Sequence, residues 1–183
     1  MVQHLKKALR EKMLKARGSI VPKDVAQMSA SIAERLLAHP RFKEAKTIGF
    51  YIPKGNEVDT RPMIAAAIGL GKTVAAPVTA HKMVFYPFES LDSLVPGKFG
   101  IPEPKTHGMK PIEPELVVVP GVVFGLCMHR LGYGKGYYDS YLAHSFAYRI
   151  GICYDFQVVD KLPRHDNDQR MDEIITEKRV ITL

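Results

Sequence analysis

The sequence predicts an α/β protein of three layers, a mostly parallel, Rossmann-like open sheet with helices on both faces. Three observations lead there. Segments with helical spacing alternate with short β-branched runs along the chain. One run, Leu116-Val117-Val118-Val119-Pro120, is wholly apolar, the pattern of a strand covered on both sides. The chain has 183 residues, 46% of them hydrophobic, enough for one full core, whereas each half would be small for its own. A single domain over residues 1–183 is therefore expected.

Leu5, Leu9 and Met13, with Leu14 beside them, give a first helix with one apolar stripe. Lys6 and Arg10 lie one turn apart and project from a common face of it. A second helix starts near Pro22, a residue tolerated in a first turn, with Asp24 near the positive helix end. Val25, Met28, Ile32 and Leu36 form its stripe, and His39-Pro40 stops it. Thr47 to Ile52 reads as a strand ending at Pro53, and Arg61 to Leu70 as a helix closed by Gly69 and Gly71. Short strands follow at Thr73–Pro77 and Met83–Tyr86. Residues 88–115, rich in Pro and Gly, form a connection over the surface. After the apolar run and a glycine-rich loop come a helix from Tyr137 to Ser145 and a strand from Tyr148 to Cys153. Glu173–Thr176 and Arg179–Thr182 suggest a last strand or hairpin. No repeat or linker divides the chain.

Composition excludes some classes. No apolar run approaches the roughly 18 residues of a membrane-spanning helix. The stretch Val2-Gln3-His4-Leu5-Lys6-Lys7 is charged and amphipathic, without the apolar core of a signal peptide. Two cysteines are too few for a disulfide framework, so a reduced, cytoplasmic protein is expected. The net charge of +7 suits a polyanionic partner without distinguishing nucleic acid, nucleotide and carboxylated metabolite.

The chemistry concentrates in Arg130-Leu131-Gly132-Tyr133-Gly134-Lys135-Gly136-Tyr137-Tyr138-Asp139, between a predicted buried strand and a predicted helix. Its glycines permit positive φ and close approach of backbone N–H groups to a ligand. A helix N-terminus after them favours phosphate. Arg130 and Lys135 add full charges, and Asp139 is a candidate ligand for a divalent cation. A Walker loop would need Ser or Thr where Gly136 stands, and the dinucleotide fingerprint would need glycine at Tyr137. The same residues also suit a tight turn with tyrosines in the core. Gly69-Leu70-Gly71-Lys72-Thr73 contains Gly-Lys-Thr but precedes a strand, and reads as a helix cap and turn.

Other clusters have two readings. In Asn56-Glu57-Val58-Asp59-Thr60, Glu57 is a candidate ligand contact, while Asp59 and Thr60 read as helix N-caps. His165-Asp166-Asn167-Asp168 with Asp172-Glu173 either binds Mg²⁺ or balances Arg164 and Arg170, and spacing favours balance. Cys127 and His129 lack a second pair to complete a zinc site.

These residues in this order resemble the 5-formyltetrahydrofolate cyclo-ligase (methenyltetrahydrofolate synthetase) family. The resemblance is carried by Lys6-Lys7-Ala8-Leu9-Arg10, Asn56-Glu57-Val58-Asp59, Val119-Pro120-Gly121-Val122-Val123-Phe124, the Arg130–Asp139 motif, Asp168 and Asp172-Glu173-Ile174-Ile175-Thr176-Glu177. It covers nearly the whole chain. It implies ATP- and Mg²⁺-dependent conversion of 5-formyltetrahydrofolate, or its polyglutamates, to 5,10-methenyltetrahydrofolate with release of ADP and phosphate. By resemblance, Lys6-Lys7-Ala8-Leu9-Arg10 is an ATP-binding stretch, with Lys6 and Arg10 making contact. Arg130, Leu131, Gly132, Tyr133, Gly134, Lys135, Gly136, Tyr137 and Tyr138 contact nucleotide, and Tyr133 to Tyr137 also folate. Ile52 and Glu57 belong to the folate pocket, and Asp139 and Asp168 to the metal. The resemblance tips the C-terminal acidic cluster from charge balance toward metal work. Two positions depart from it. The family commonly carries Asp after Pro-Gly-x-x-Phe and Gly two residues before Arg-Leu-Gly, where this chain has Gly125 and Met128.

In this chemistry the formyl oxygen attacks the γ-phosphate, and N10 then closes the ring. Phosphoryl transfer is catalysed mainly by positioning and charge neutralisation, which assigns Lys135 and Arg130 as catalytic stabilisers. A monomer without membrane or nucleic-acid partners is expected. Two alternatives stand beside it: a relative of the fold that binds RNA through its basic surface, and an ATP-dependent ligase for another formylated or carboxylated metabolite.

Overall fold

The computed structural model describes residues 2–183. The chain runs α1 (Val2–Gly18), α2 (Pro22–Ala38), α3 (Pro40–Glu44), β1 (Thr47–Gly49), α4 (Arg61–Gly69), β2 (Thr73–Thr79) and β3 (Met83–Phe88). It continues through β4 (Val95–Pro96), β5 (Pro102–Glu103), β6 (Leu116–Val119), β7 (Val123–Gly125), β8 (Arg130–Leu131), α5 (Tyr137–Leu142) and β9 (Tyr148–Ile152). It ends with β10 (Val158–Val159), β11 (Glu173–Ile175) and β12 (Val180–Ile181).

The central sheet has the order β12-β11-β9-β6-β1-β2-β3. Its five inner strands are parallel, and β12 and β3 close the two edges in antiparallel pairing. Alternation along the inner strands divides the core between two faces. Ile48, Val74, Leu116, Val118 and Ile175 meet Ile32 and Leu36 of α2, Phe42 of α3 and Met63 and Ile64 of α4. Ala75, Val117, Val119 and Ile174 point the other way, toward Phe124, Met128 and Leu142. Residues buried on both sides of β6 explain why its sequence is apolar without interruption.

The predicted alternation is therefore realised, with differences of detail. The second face carries only α5, together with a small sheet of order β10-β7-β8. That sheet interposes the β7–β8 hairpin between the buried strand and the glycine-rich loop, which the sequence reading joined directly. Helix α1 packs on the small sheet, through Met13 against Val122, Val123 and Leu131. Strand β1 stops at Gly49, although Phe50 still donates its N–H to Ala75 O. His39 stops α2, but its ring Nδ1 accepts the Arg41 N–H and so starts α3 at once. Helix α5 ends at Leu142 rather than Ser145. The connection after β3 includes the β4–β5 hairpin. Gly71, at φ 74, closes α4, so the Gly-Lys-Thr sequence is the predicted cap and turn.

Phe124 fixes the joint between the two sheets. A Cβ on Gly121 would lie 2.5 Å from its ring, and one on Gly151 would lie 2.4 Å from it. Only glycines let this fully buried ring sit between the β6–β7 turn and β9. In the hairpin turn, Met128 has φ 66 and a wholly buried side chain. Glycine would hold that left-handed conformation without the roughly 1 kcal/mol or more that a side chain adds. Core contacts keep Met128 there, and its backbone pairs with both Gly125 O and Met171 N–H.

Candidate active site

Strands β1 and β6 are neighbours, and the chain leaves β1 toward β2 on one side but leaves β6 toward β9 on the other. Open α/β sheets bind ligands at such a reversal, beyond the carboxyl ends of the strands. A cavity of about 650 Å³ opens there, lined from α1, the β1–α4 loop, the β3–β6 connection, the Arg130–Asp139 loop and the 165–168 turn.

Helix α1 supplies one wall. Lys6, Arg10, Leu14 and Arg17 line the cavity because they recur on one helical face. Lys6 Nζ bonds Asp168 Oδ2 at 2.5 Å, and Arg10 Nε donates to Gly132 O at 2.8 Å. Lys7, Ala8 and Leu9, assigned to ATP by resemblance, do not line it. Lys7 and Ala8 face solvent and Leu9 packs toward the small sheet, since they occupy the other sides of the same helix.

The glycine loop forms a second wall in contact with the first, with all of Arg130 to Asp139 on the cavity. Gly134 and Gly136 have φ 91 and 71, so the expected need for glycine is met at both. Helix α5 is only six residues long. It therefore contributes little helix dipole, and the positive character of this wall comes from the loop's own N–H groups and charges. Lys135 is exposed, and among the described residues its ammonium has no hydrogen-bond or ion-pair partner. Arg130 is buried, and its Nη1 bonds Asp139 Oδ1 at 2.8 Å. Among the described residues Arg130 Nε and Tyr138 Oη are buried without a hydrogen-bond partner. Burial, first, and then Glu57 push the Tyr138 phenol well above its usual range against the opposing effect of Arg130. Tyr138 thus keeps its proton and remains a donor.

At the other end, Glu57 is buried and both its oxygens are engaged. Oε2 accepts the Lys54 N–H at 2.8 Å, and Oε1 accepts the Tyr133 hydroxyl at 2.8 Å. Arg17 Nη2 donates to that hydroxyl at 2.5 Å. Burial, then the Glu57 charge, push the Tyr133 phenol up to about 12. Ile52 lines the same end, beside Tyr51. Thr60 turns its hydroxyl to Tyr51 O instead of capping α4, and Asp59 Oδ1 accepts the Arg61 N–H in its place.

The acidic segment divides. Asp168 enters the cavity, while Asp172 accepts the Arg149 N–H and Glu173 binds His39 and Tyr148 away from it. Asp168 Oδ2 and Asp139 Oδ1 each hold a cationic side chain and a backbone N–H, from His165 and Gln169 respectively. Asp168 Oδ1 and Asp139 Oδ2 make no hydrogen bond within the described residues. The described residues hold no group of three or more His, Cys, Asp or Glu suited to a metal. Two carboxylates with free oxygens nevertheless fit Mg²⁺, which takes one or two protein carboxylates and completes its shell with phosphate and water. His129 Nδ1 lies 2.9 Å from Cys127 O, a local contact and no zinc site.

Arg17, Tyr51 and Lys98 also line the cavity, and the sequence reading missed them. Arg17 had a signal, since it continues the face of Lys6 and Arg10. Lys98, whose Nζ lies 3.3 Å from Tyr137 Oη, had none, because the connection that carries it has no periodicity.

Comparison with known proteins places the chain in one family. The 5-formyltetrahydrofolate cyclo-ligase family model matches residues 2–177. A probable 5-formyltetrahydrofolate cyclo-ligase of Schizosaccharomyces pombe is 33% identical, over 96% of this chain and 97% of its own. The Escherichia coli 5-formyltetrahydrofolate cyclo-ligase is 28% identical, over 90% and 96%. The NMR structure of Aquifex aeolicus 5,10-methenyltetrahydrofolate synthetase superposes with a TM-score of 0.88 at 34% identity, covering 98% of this chain and 93% of that one. The Mycoplasma pneumoniae 5,10-methenyltetrahydrofolate synthetase gives 0.76 at 26% identity, over 94% and 98%. From its motifs, its cavity and these matches together, this chain belongs to the 5-formyltetrahydrofolate cyclo-ligase family.

Proposed function

We propose that the protein converts 5-formyltetrahydrofolate to 5,10-methenyltetrahydrofolate with cleavage of ATP to ADP and phosphate. The observation that carries this is the meeting, in one cavity, of α1 cations, a cationic glycine loop, a buried carboxylate and two further carboxylates.

The cavity has two chemically different ends. Lys6, Arg10, Arg130 and Lys135 face one end and suit a triphosphate. Tyr51, Ile52, Glu57 and Tyr133 form the other, which suits a flat heterocycle with N–H donors, as a reduced pterin is. Asp139 and Asp168 would hold Mg²⁺, which when bound supplies charge neutralisation on the phosphates. The charges of these two carboxylates are balanced by Arg130 and Lys6. Nucleotide binding lets those two cations exchange a carboxylate for a phosphate oxygen.

The formyl oxygen then attacks the γ-phosphorus as the bond to ADP breaks. Lys135 and Arg130 stabilise the charge on the transferring group, and the glycine-loop N–H groups add fixed donors. N10 attacks the activated carbon, loses its proton, and phosphate leaves with the former formyl oxygen. Tyr138, held protonated and without a hydrogen-bond partner among the described residues, is a donor available to oxygen atoms in this space. The surplus cationic charge suits the carboxylates of a polyglutamate tail. No helix of the described residues is long and apolar enough to cross a membrane. Both cysteines are unpaired, and a cytosolic setting accords with them.

The test is ATP- and Mg²⁺-dependent appearance of methenyltetrahydrofolate absorbance, with one ADP released per ring closed. ADP release with another formylated compound, and none with 5-formyltetrahydrofolate, overturns the assignment of substrate. Absence of both signals overturns the reaction.

A further inference from the structure

Arg17 belongs to neither the phosphate clamp nor the glycine motif, yet it is among the most buried cations of the chain, 6% exposed. A buried guanidinium needs compensation at each donor. Its Nη1 donates to Gly121 O at 3.3 Å in the β6–β7 turn, and its Nη2 to Tyr133 Oη. Its own carbonyl accepts from Asn56 Nδ2 at 3.0 Å, in the loop that carries Glu57. Arg17 thereby joins three separate walls of the cavity.

The charge it compensates is that of Glu57, but not by direct contact. Arg17 Nη2 stands 3.8 Å from Glu57 Oε1, too far for a hydrogen bond. The Tyr133 hydroxyl bridges the gap, accepting from Arg17 and donating to Glu57. Because Arg17 occupies the phenol's acceptor side, the phenolic proton is directed at the carboxylate. The other nearby cation, Lys54, turns its ammonium away to Phe99 O.

We propose that Arg17 is a positioning residue for the folate: through Tyr133 it fixes the orientation of Glu57, and so sets affinity for the folate and not for ATP. The proposal rests on the assigned reaction. A carboxylate whose two oxygens are held by Lys54 N–H and by Tyr133 keeps its remaining lone pairs in fixed directions. Loss of Arg17 frees the Tyr133 hydroxyl to rotate, and Glu57 with it.

The test is steady-state kinetics of Arg17→Met, Arg17→Lys, Tyr133→Phe and the Arg17→Met/Tyr133→Phe double variant, with melting temperatures. Loss of a charged hydrogen bond predicts a rise of about 10- to 100-fold in KM for 5-formyltetrahydrofolate in Arg17→Met, with KM for ATP within about 2-fold. Arg17→Lys recovers part of it. If Arg17 acts through the phenol, the double variant is no worse than the poorer single variant. Equal rises in both KM values, multiplying factors in the double variant, or a lowered melting temperature with unchanged folate KM overturn the proposal. Should Arg17→Met fail to fold, Arg17→Lys and Tyr133→Phe decide it by the same split. A wild type without turnover overturns the assigned reaction and this role together, whereas failure confined to the variants overturns only the role of Arg17.

Discussion

Lys6 and Asp168, 162 residues apart in sequence, meet at 2.5 Å between Nζ and Oδ2. The contact pins the first helix to the C-terminal segment at the cavity wall. It also means that a cation expected at ATP and a carboxylate expected at Mg²⁺ pair with each other. The same self-pairing recurs at Arg130 and Asp139.

Burial alone would raise the Asp168 pKa, but the Lys6 hydrogen bond and the His165 N–H outweigh it and hold the carboxyl below its ordinary value. A depressed folded-state pKa contributes stability above the unfolded value of about 3.9, and the contribution is lost as pH falls through the folded pKa. Asp168→Asn is therefore expected to be less stable than the parent at pH 7. Solvent access to the carboxylate keeps the difference near 1 kcal/mol. Urea unfolding at stepped pH should show the gap closing below about pH 4. A gap that persists unchanged to pH 3 would contradict the account.

Lys135 differs from Lys6, Arg10 and Arg130 in having, among the described residues, no hydrogen-bond or ion-pair partner, and it is exposed. Lys135→Ala should lower kcat by at least about 10²-fold if the ammonium stabilises transferring charge. Its stability should stay within about 0.5 kcal/mol of the parent, as for an exposed substitution. Near-normal turnover would remove Lys135 from the mechanism.

Gly151→Ala tests the joint at Phe124. The added methyl would lie 2.4 Å from the Phe124 ring and 3.2 Å from Met171 Cγ, both buried. Overpacking of this kind costs about 1–3 kcal/mol. The cost should shrink in combination with Phe124→Leu, a non-additivity that chemical denaturation can read. Simple addition of the two effects would mean that the ring is not the obstacle.

Met128→Gly sets two effects against each other. Glycine relieves about 1–2 kcal/mol of left-handed strain. It also empties a fully buried methionine site, a loss of about 2–5 kcal/mol by comparison with core truncations. The loss should prevail, leaving the variant about 1–3 kcal/mol less stable by thermal or urea unfolding. A more stable variant would show that strain, rather than packing, governs this turn.

Much of the architecture was legible locally. Periodicity located α1 and α2 and the apolar run located β6, because one-sided and two-sided burial leave different patterns in neighbouring residues, whereas the five-residue α3 carries no such period. The positive φ of Gly134 and Gly136 could be anticipated for the same reason, since a turn is a local event. The β7–β8 hairpin could not, because runs of two or three residues carry no period. The helix expected from Tyr137 starts there but ends at Leu142, short of Ser145.

The sequence by itself determined an α/β fold, a glycine-rich loop and, through ordered motifs, the family. Only the tertiary structure decided which residues of those motifs face the cavity. It separated Lys6 and Arg10 from Lys7, Ala8 and Leu9 by helical phase. It brought Asp168 to Lys6 and left Asp172 and Glu173 outside. It also joined Arg17 to Glu57 through Tyr133, a relation between three segments that share no local pattern. The physical reason is the reversal of strand order beside β1. Side-chain chemistry is written residue by residue, but which segments converge depends on long-range strand pairing, and that is fixed only when the sheet assembles.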